Sequence, residues 1–210
     1  MKLLITGAGG LLGSKLAKTA LANHEVYSLD YQHPPKYGSP LLLDISDEER
    51  VNGAFKRIKP DVAIHAAALT DVDLCETNKH LAWKINALGT MNIANACKRE
   101  ETFLIYISTD YVFDGEKGFY QETDHPAPID YYGATKLEGE EHIQKTLERY
   151  CIGRTSVVYG STPAAGKTNF ALWLVDKLKE NQKVRIVTDQ WNSPTLNTNL
   201  ARMILEIAER

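Results

Sequence analysis

Residues 2–6 (KLLIT) form a short apolar run that leads straight into Gly7-Ala8-Gly9-Gly10-Leu11-Leu12-Gly13, after which Leu11, Leu12, Leu16, Ala20 and Leu21 recur at helical spacing. An apolar run this short, stopped by glycine, reads as a buried strand and not as a helix. Gly7, Gly10 and Gly13 then stand three apart across the join. The first permits a tight turn, the second leaves room for a pyrophosphate against backbone N–H groups, and the third lets helix and strand pack closely. The helix N-terminus adds partial positive charge at the same place. Strand, glycine turn and helix in that order predict the opening unit of a parallel α/β sheet with a dinucleotide seat.

The alternation continues along the chain. Residues 25–30 (EVYSLD) and 41–43 read as the second and third strands. Ser46-Asp47-Glu48-Glu49 is the capped, acidic first turn of a helix that ends before Pro60. Further strands are expected at 62–68, 103–108, 151–159 and 184–188, with helices at 77–98, 131–150, 169–179 and from 195 onward. The 77–98 helix would carry Leu81, Ile85, Leu88 and Ala96 on one face. Residues 111–130, rich in Gly, Pro, Asp and Glu, form a long surface loop of a kind that is often functional. Strands alternating with helices imply an α/β fold, a doubly wound parallel Rossmann sheet that binds ligands beyond the carboxyl ends of its strands. The expected division is a dinucleotide-binding domain at 1–157 and a small, incomplete substrate lobe at 158–210, interleaved with the last elements of the sheet.

Composition narrows the function. Of 210 residues, 43% are apolar and 24% charged, enough for a core and too apolar for a disordered chain. A net charge of −3 without basic blocks argues against nucleic acid or an anionic membrane as partner. No stretch approaches the ~20 apolar residues of a membrane span, and the apolar start breaks at Thr6-Gly7, too early for a signal peptide. Cys75, Cys97 and Cys151 lie far apart with no Cys-x-x-Cys pair, which suits buried thiols in a reducing cytoplasm. His24, His33, His65, His80, His125 and His142 show no ligand spacing, so no metal site is expected, and His65 reads as a packed strand residue. Residues 160–168 (GSTPAAGKT) approach a phosphate-binding P-loop but have five residues between the glycines where the motif needs four.

Two further features carry chemistry. Asp30 ends the second strand 20 positions after Gly10, where a carboxylate accepts from ribose hydroxyls and favours NAD over its 2′-phosphorylated form. The competing reading is a turn-forming Asp. The 103–108 strand runs into Thr109, and the following helix opens with Tyr131-Tyr132-Gly133-Ala134-Thr135-Lys136. Tyr132 and Lys136 are four apart and share a helical face, whereas a five-residue spacing points Tyr131 away. A cationic lysine beside a phenol favours the phenolate and draws the tyrosine pKa toward the working pH. Tyr132 is then placed to protonate a carbonyl oxygen as hydride reaches its carbon, with the Thr109 hydroxyl steadying the developing charge.

The segments TGAGGLLG at the start, HAAALTDVDLCE at 65–76, ISTDYVFDG at 107–115, YYGATKLEGE at 131–140 and RTSVVYG at 154–160 resemble extended short-chain dehydrogenases/reductases, and among them dTDP-4-dehydrorhamnose reductases. The resemblance runs along essentially the whole chain. It implies an NADH- or NADPH-dependent enzyme that reduces the 4-keto group of a nucleotide-linked 6-deoxysugar. It makes Thr109, Tyr132 and Lys136 the catalytic residues, with Lys136 also on the nicotinamide ribose. The implied cofactor contacts are Gly7, Gly10, Leu11, Leu12, Gly13, Asp30, Asp44, Ile45, Ala66, Ala67, Ala68, Leu69, Thr70, Tyr132 and Lys136. On the substrate side it implies Asn86, which shapes the active-site helix, then Thr109, Asp110, Tyr111, Val157 and Asn169, with 189–195 as a lobe segment. Val157 stands where the family often has tryptophan, and family members continue well beyond the final helix, so the substrate half is expected to be incomplete. Two rival readings stand beside the reductase. One is a sugar-nucleotide epimerase or dehydratase, against which Tyr111 occupies the place where dehydratases carry Glu. The other is a non-catalytic, dinucleotide-binding regulatory subunit like that of methionine adenosyltransferase. The implied partner is a nucleotide sugar, and a homodimer is left open.

Overall fold

The computed structural model describes residues 1–161 and 168–210. Its main sheet is built from β1 (Lys2–Thr6), β2 (Glu25–Asp30), β3 (Ser39–Leu42), β4 (Val62–His65), β5 (Phe103–Thr109) and β6 (Tyr150–Thr155). All pairings are parallel, and the order is β3-β2-β1-β4-β5-β6. The chain winds outward from β1 to β3, then returns across the sheet to β4 and winds the other way. The expected doubly wound sheet is therefore present, with β1 and β4 flanking the point of reversal.

Both faces of the central strands are apolar, which is why the sheet is covered on both sides. Leu4 points to one face while Leu3 and Ile5 point to the other, and all three are fully buried. On the Leu4 face pack Phe55 of α2 (Glu48–Ile58), Ile93 of α5 (Gly89–Arg99) and Ile143 of α6 (Tyr131–Thr146). On the opposite face, Leu16 of α1 (Leu11–Ala20) and Ile204 of α8 (Asn197–Ala208) cover Leu3 and Ile5. Residues 197–208 thus complete the outer layer of the dinucleotide unit, although their place in the chain suggests a lobe. What stands apart is smaller: β7 (Val158–Tyr159) and β8 (Thr195–Leu196) form a separate two-stranded parallel sheet, and α7 (Phe170–Lys179) has no fully buried residue.

Side-chain caps set the helix ends that matter. Asp47 opens α2 by accepting the Arg50 N–H at 3.0 Å, and Lys59, left-handed at φ 50°, closes it before Pro60. Asp130 opens α6 by accepting the Gly133 N–H at 2.7 Å.

Several boundaries differ from the sequence reading, each for a local reason. β3 takes 39–42 in place of 41–43, and Pro40 is tolerated because β3 lies at the sheet edge. β4 ends at His65 and not at 68, because the Ala67 N–H bonds the Thr6 hydroxyl at 3.1 Å and leaves the ladder. The 77–98 helix is preceded by α3 (Val72–Thr77), which the sequence reading lacked. Asn78 ends α3 and restarts the chain as α4 (Lys79–Ala82), accepting the Leu81 N–H at 3.1 Å. A π-helical turn, Trp83–Leu88, then joins α4 to α5. Its extra residue rotates Leu88 out of the expected apolar face, leaving it 38% exposed. α6 stops at Thr146, short of 150. The 151–159 strand divides at Ser156-Val157 into β6 and β7. Residues 184–188 form no strand, and Ile186 and Val187 are exposed. The last helix starts at Asn197 because Thr195-Leu196 pair as β8. Residues 162–167 of the P-loop-like segment lie outside the described residues.

Candidate active site

Gly7, just beyond β1, has φ 68°, and a Cβ there would stand 2.8 Å from the Ala66 carbonyl oxygen and the Ala67 Cα. A Cβ on Gly13 would stand 2.1 Å from the Gly7 carbonyl oxygen, so turn and helix meet backbone to backbone. α1 begins after Gly10 with no side-chain cap, which leaves its first N–H groups for an anionic ligand. This cradle fits the pyrophosphate of a dinucleotide.

The neighbouring acids are engaged by backbone. Asp30 Oδ2 accepts the Gly9 N–H at 3.0 Å, while Oδ1 accepts those of Gln32 and His33 at 3.0 and 2.9 Å. The turn-forming reading of Asp30 is realised, and it ties the end of β2 to the glycine turn. Asp44 Oδ1 accepts the Ser46 N–H and hydroxyl at 2.9 and 2.8 Å, and Lys84 Nζ lies 3.6 Å from Oδ2. Burial opposes the Asp44 charge, but those bonds and the lysine together hold its carboxyl below the usual range. Ile45, expected on the cofactor, turns its side chain into the core, and its carbonyl accepts from Asn92 Nδ2 at 3.0 Å.

Thr109 closes β5, and its hydroxyl donates to Asp110 Oδ1 and accepts the Tyr111 N–H, both at 3.2 Å. Tyr132, on the first turn of α6, stands edge-on to Tyr111 with ring centroids 5.6 Å apart, and the Thr109 hydroxyl faces its phenol. Burial dominates there and pushes the Tyr132 phenol above its ordinary pKa, against the pull of Thr109. Lys136, expected to draw this phenol down, does not outweigh burial there. Lys136 Nζ donates to the Ile107 carbonyl at 2.8 Å and lies 4.1 Å from the centre of the Tyr106 ring. Burial pushes its ammonium down to about 7, opposed by Glu140. Burial thus favours the protonated phenol at Tyr132 and disfavours the ammonium at Lys136, where Glu140 opposes it. Tyr131 is held elsewhere, with Lys79 Nζ 5.0 Å from its ring centroid and its N–H donating to Glu76 Oε1 at 2.6 Å.

Behind these groups runs a buried polar column that sequence reasoning did not find. Thr6 Oγ1 lies 2.6 Å from His65 Nδ1, and Thr90 Oγ1 lies 3.0 Å from Nε2. Thr90 donates its hydrogen to the Asn86 carbonyl at 2.6 Å, so its oxygen accepts from Nε2–H and Nδ1 is the acceptor. The imidazole is neutral, and burial, aided by Lys136, pushes its pKa down to about 3. His65 is the packed strand residue expected, and it stacks on Tyr106 at 5.4 Å. Asn86 sits in the π-helical turn and is 1% exposed. Its Oδ1 accepts the Leu69 N–H at 2.8 Å, and Nδ2 donates to the Leu69 carbonyl and the Thr135 hydroxyl at 3.1 and 3.2 Å. Asn86 thereby fixes the 66–70 strip against α6.

Asp110 and Tyr111 follow Thr109 on a short 3-10 turn, Asp110–Val112, beside α6. Val157 is exposed at the start of the separate two-stranded sheet region. Asn169 is a local cap: its Oδ1 accepts the Leu172 N–H at 3.2 Å and its Nδ2 donates to the Gly160 carbonyl at 2.9 Å. Among the described residues, no group of His, Cys, Asp and Glu could hold a metal ion, and no helix is long and apolar enough to cross a membrane.

The family described as RmlD substrate binding domain matches residues 1–210. A probable low-salt glycan biosynthesis reductase of Haloferax volcanii is 38% identical over 216 residues, covering 100% of this chain and 71% of its own length. The dTDP-4-dehydrorhamnose reductase of Aggregatibacter actinomycetemcomitans is 36% identical over 212 residues, covering 100% of this chain and 68% of its own length. The crystal structure of dTDP-4-dehydrorhamnose reductase from Bacillus anthracis in complex with NADP superposes with a TM-score of 0.90 at 36% identity, covering 99% of this chain and 70% of that one. With the glycine cradle and the doubly wound sheet in place, these likenesses show that the chain belongs to the dTDP-4-dehydrorhamnose reductase family of NAD(P)H-dependent oxidoreductases.

Proposed function

We propose that this chain reduces the 4-keto group of a nucleotide-linked 6-deoxysugar of the dTDP-4-dehydrorhamnose type, with Tyr132 as the proton donor. The observation that carries the reading is the meeting of Thr109 and Tyr132 beside a fully buried Lys136, at the same end of the sheet as the glycine cradle. The reduced nicotinamide, when bound, supplies hydride to the ketone carbon. Gly7, Gly10, Gly13 and the N-terminus of α1 hold the pyrophosphate, and Asp30 borders the adenosine ribose. Burial keeps the Tyr132 phenol protonated, which is the form a reduction needs, and the phenol gives its hydrogen to the ketone oxygen as charge develops there. The Thr109 hydroxyl hydrogen-bonds the same oxygen. The Lys136 ammonium, one helical turn away, offsets the charge left on the phenolate and serves the nicotinamide ribose.

The test is consumption of NADH or NADPH, read by absorbance, with a dTDP-4-dehydro-6-deoxysugar as acceptor. Tyr132→Phe should cut the rate by about 10²–10⁴-fold while dinucleotide binding persists, and Tyr131→Phe should leave it near wild type. Full rate in Tyr132→Phe removes the proposed proton donor. A second reading is dinucleotide binding without turnover, in keeping with the exposure of Phe170 and Trp191 in the segments expected to form the substrate lobe. Tight NADH binding with no consumption on any 4-keto sugar nucleotide would establish it.

A further inference from the structure

Four residues beyond Lys136, on the same face of α6, stands Glu140, only 1% exposed. A buried cation and a buried anion thus lie one helical turn apart. Arg154 of β6 clamps the carboxylate: its Nε lies 3.1 and 3.2 Å from the two oxygens, and its Nη2 lies 2.6 Å from Oε2. The guanidinium in turn sits 5.0 Å from the Phe113 ring centroid, and Phe113 stacks on Tyr120 at 4.2 Å. Buried ion pairs are often replaceable by apolar side chains without loss of stability, so stability alone is a weak reason for this one.

The other groups around Lys136 bring no counter-charge. β5 contributes the Tyr106 ring and the Ile107 carbonyl, and β4 contributes His65, which is neutral. From α6 itself comes the protonated Tyr132 phenol. The π-helical turn and α5 present Asn86 and Thr90, which are uncharged. Asp110 of the 3-10 turn and Cys75 of α3 bear on Tyr132. The carboxylate that favours the charged form of Lys136 is Glu140.

We propose that Glu140, held in place by Arg154, is a positioning residue that keeps the Lys136 ammonium charged and thereby sets the pH above which this site stops working. The kinetic half of this proposal rests on the reductase reading; the electrostatic half does not. Without the carboxylate, Lys136 keeps only a carbonyl and a π face, and the Arg154 cation is left unpaired nearby. The lysine then gives up its proton more readily. An opposite charge at close range shifts an ionisation by about 1–3 pH units.

The experiment follows two readouts: the basic limb of kcat/KM against pH, and the NMR titration of the Lys136 Cε in the free protein, assigned by its loss in Lys136→Met. Glu140→Gln should move both toward acid by about one pH unit or more. The double variant Glu140→Gln/Arg154→Met replaces the pair by neutral side chains, which guards against misfolding around a bare cation, and it should remain acid-shifted from wild type, by less than Glu140→Gln because the Arg154 cation is gone as well. Arg154→Met alone should not move either readout toward acid. If the single variants only lower the melting temperature, and the Lys136 titration and the limb stay put, the proposal is overturned. If the wild type consumes no NADH yet Glu140→Gln still shifts the Lys136 titration, the reductase reading fails and the charge-setting role stands.

Discussion

Two glycines in helix interiors should respond to the same substitution with opposite signs. In a helix, Gly→Ala gains about 0.5–1 kcal/mol from lost backbone freedom in the unfolded chain. At Gly53, within α2, an added Cβ meets nothing within 4 Å, so Gly53→Ala should realise that gain. At Gly13, within α1, the added Cβ meets the Gly7 carbonyl oxygen at 2.1 Å, the Gly7 carbonyl carbon at 2.7 Å and the Ala8 Cα at 2.9 Å. All three are backbone, so relief requires α1 to move off the turn by about 1 Å, an overpacking that costs about 3 kcal/mol. Subtracting the propensity gain leaves a loss of about 2 kcal/mol, a drop in melting temperature of about 4–8 °C for a chain this size. Gly53→Ala should instead raise it by about 1–4 °C. Thermal melting checks both, and titration with NADH adds a second readout, because the displaced helix start is the pyrophosphate seat. A Gly13→Ala protein that melts at or above wild type, with Gly53→Ala behaving as stated, would refute the backbone-to-backbone argument.

Other expectations follow from the buried polar column. His65 titrates at about 3 when folded and near 6.5 when unfolded, so the unfolded chain binds more protons between those values. Its contribution to stability is complete above pH 6.5 and is lost as pH falls toward 3, and denaturant melts of His65→Gln should show a shallower acid dependence than wild type over that window. Asn86→Ala leaves the Leu69 N–H and carbonyl without their partner, at a cost of about 1–3 kcal/mol. Urea midpoints should fall accordingly, and NADH binding should weaken with them, because the 66–70 strip loses its anchor to α6.

The sheet and its glycine turn were legible because each rests on a residue type with one physical purpose. Gly7 at positive φ and Gly13 against the Gly7 carbonyl allow no other side chain, and the short apolar runs around them suit only buried strands. That Tyr132 and Lys136 stand one turn apart on one helix was readable from spacing alone. Less local features were not. The end of β4 is invisible in an unbroken run from Val62 to Ala68, since a hydroxyl from another strand, that of Thr6, decides it. The π-helical turn shifts the register of Leu88 without changing composition. Residues 184–188 are rich in the β-branched side chains that suit a strand, but no neighbouring strand pairs with them among the described residues. Tyr132 shows the limit for chemistry: helical spacing gave the neighbour, while burial, which spacing does not report, decided the direction of its shift. Glu140 could have been found by carrying the same four-residue step once more along α6.

The docking of α8 on α1 has a consequence for how this molecule is assembled. Asn197, the first residue of α8, donates through Nδ2 to the Leu11 carbonyl at 3.3 Å, and a Cβ on Gly160 would lie 2.6 Å from the same nitrogen. The outer wall behind the first βα unit is therefore supplied by residues made nearly two hundred positions later. During synthesis, the glycine turn emerges early but is backed by an uncovered apolar face until residues 197–208 leave the ribosome. A nascent chain halted before that point presents Leu16 and Ile5 to whatever holds it.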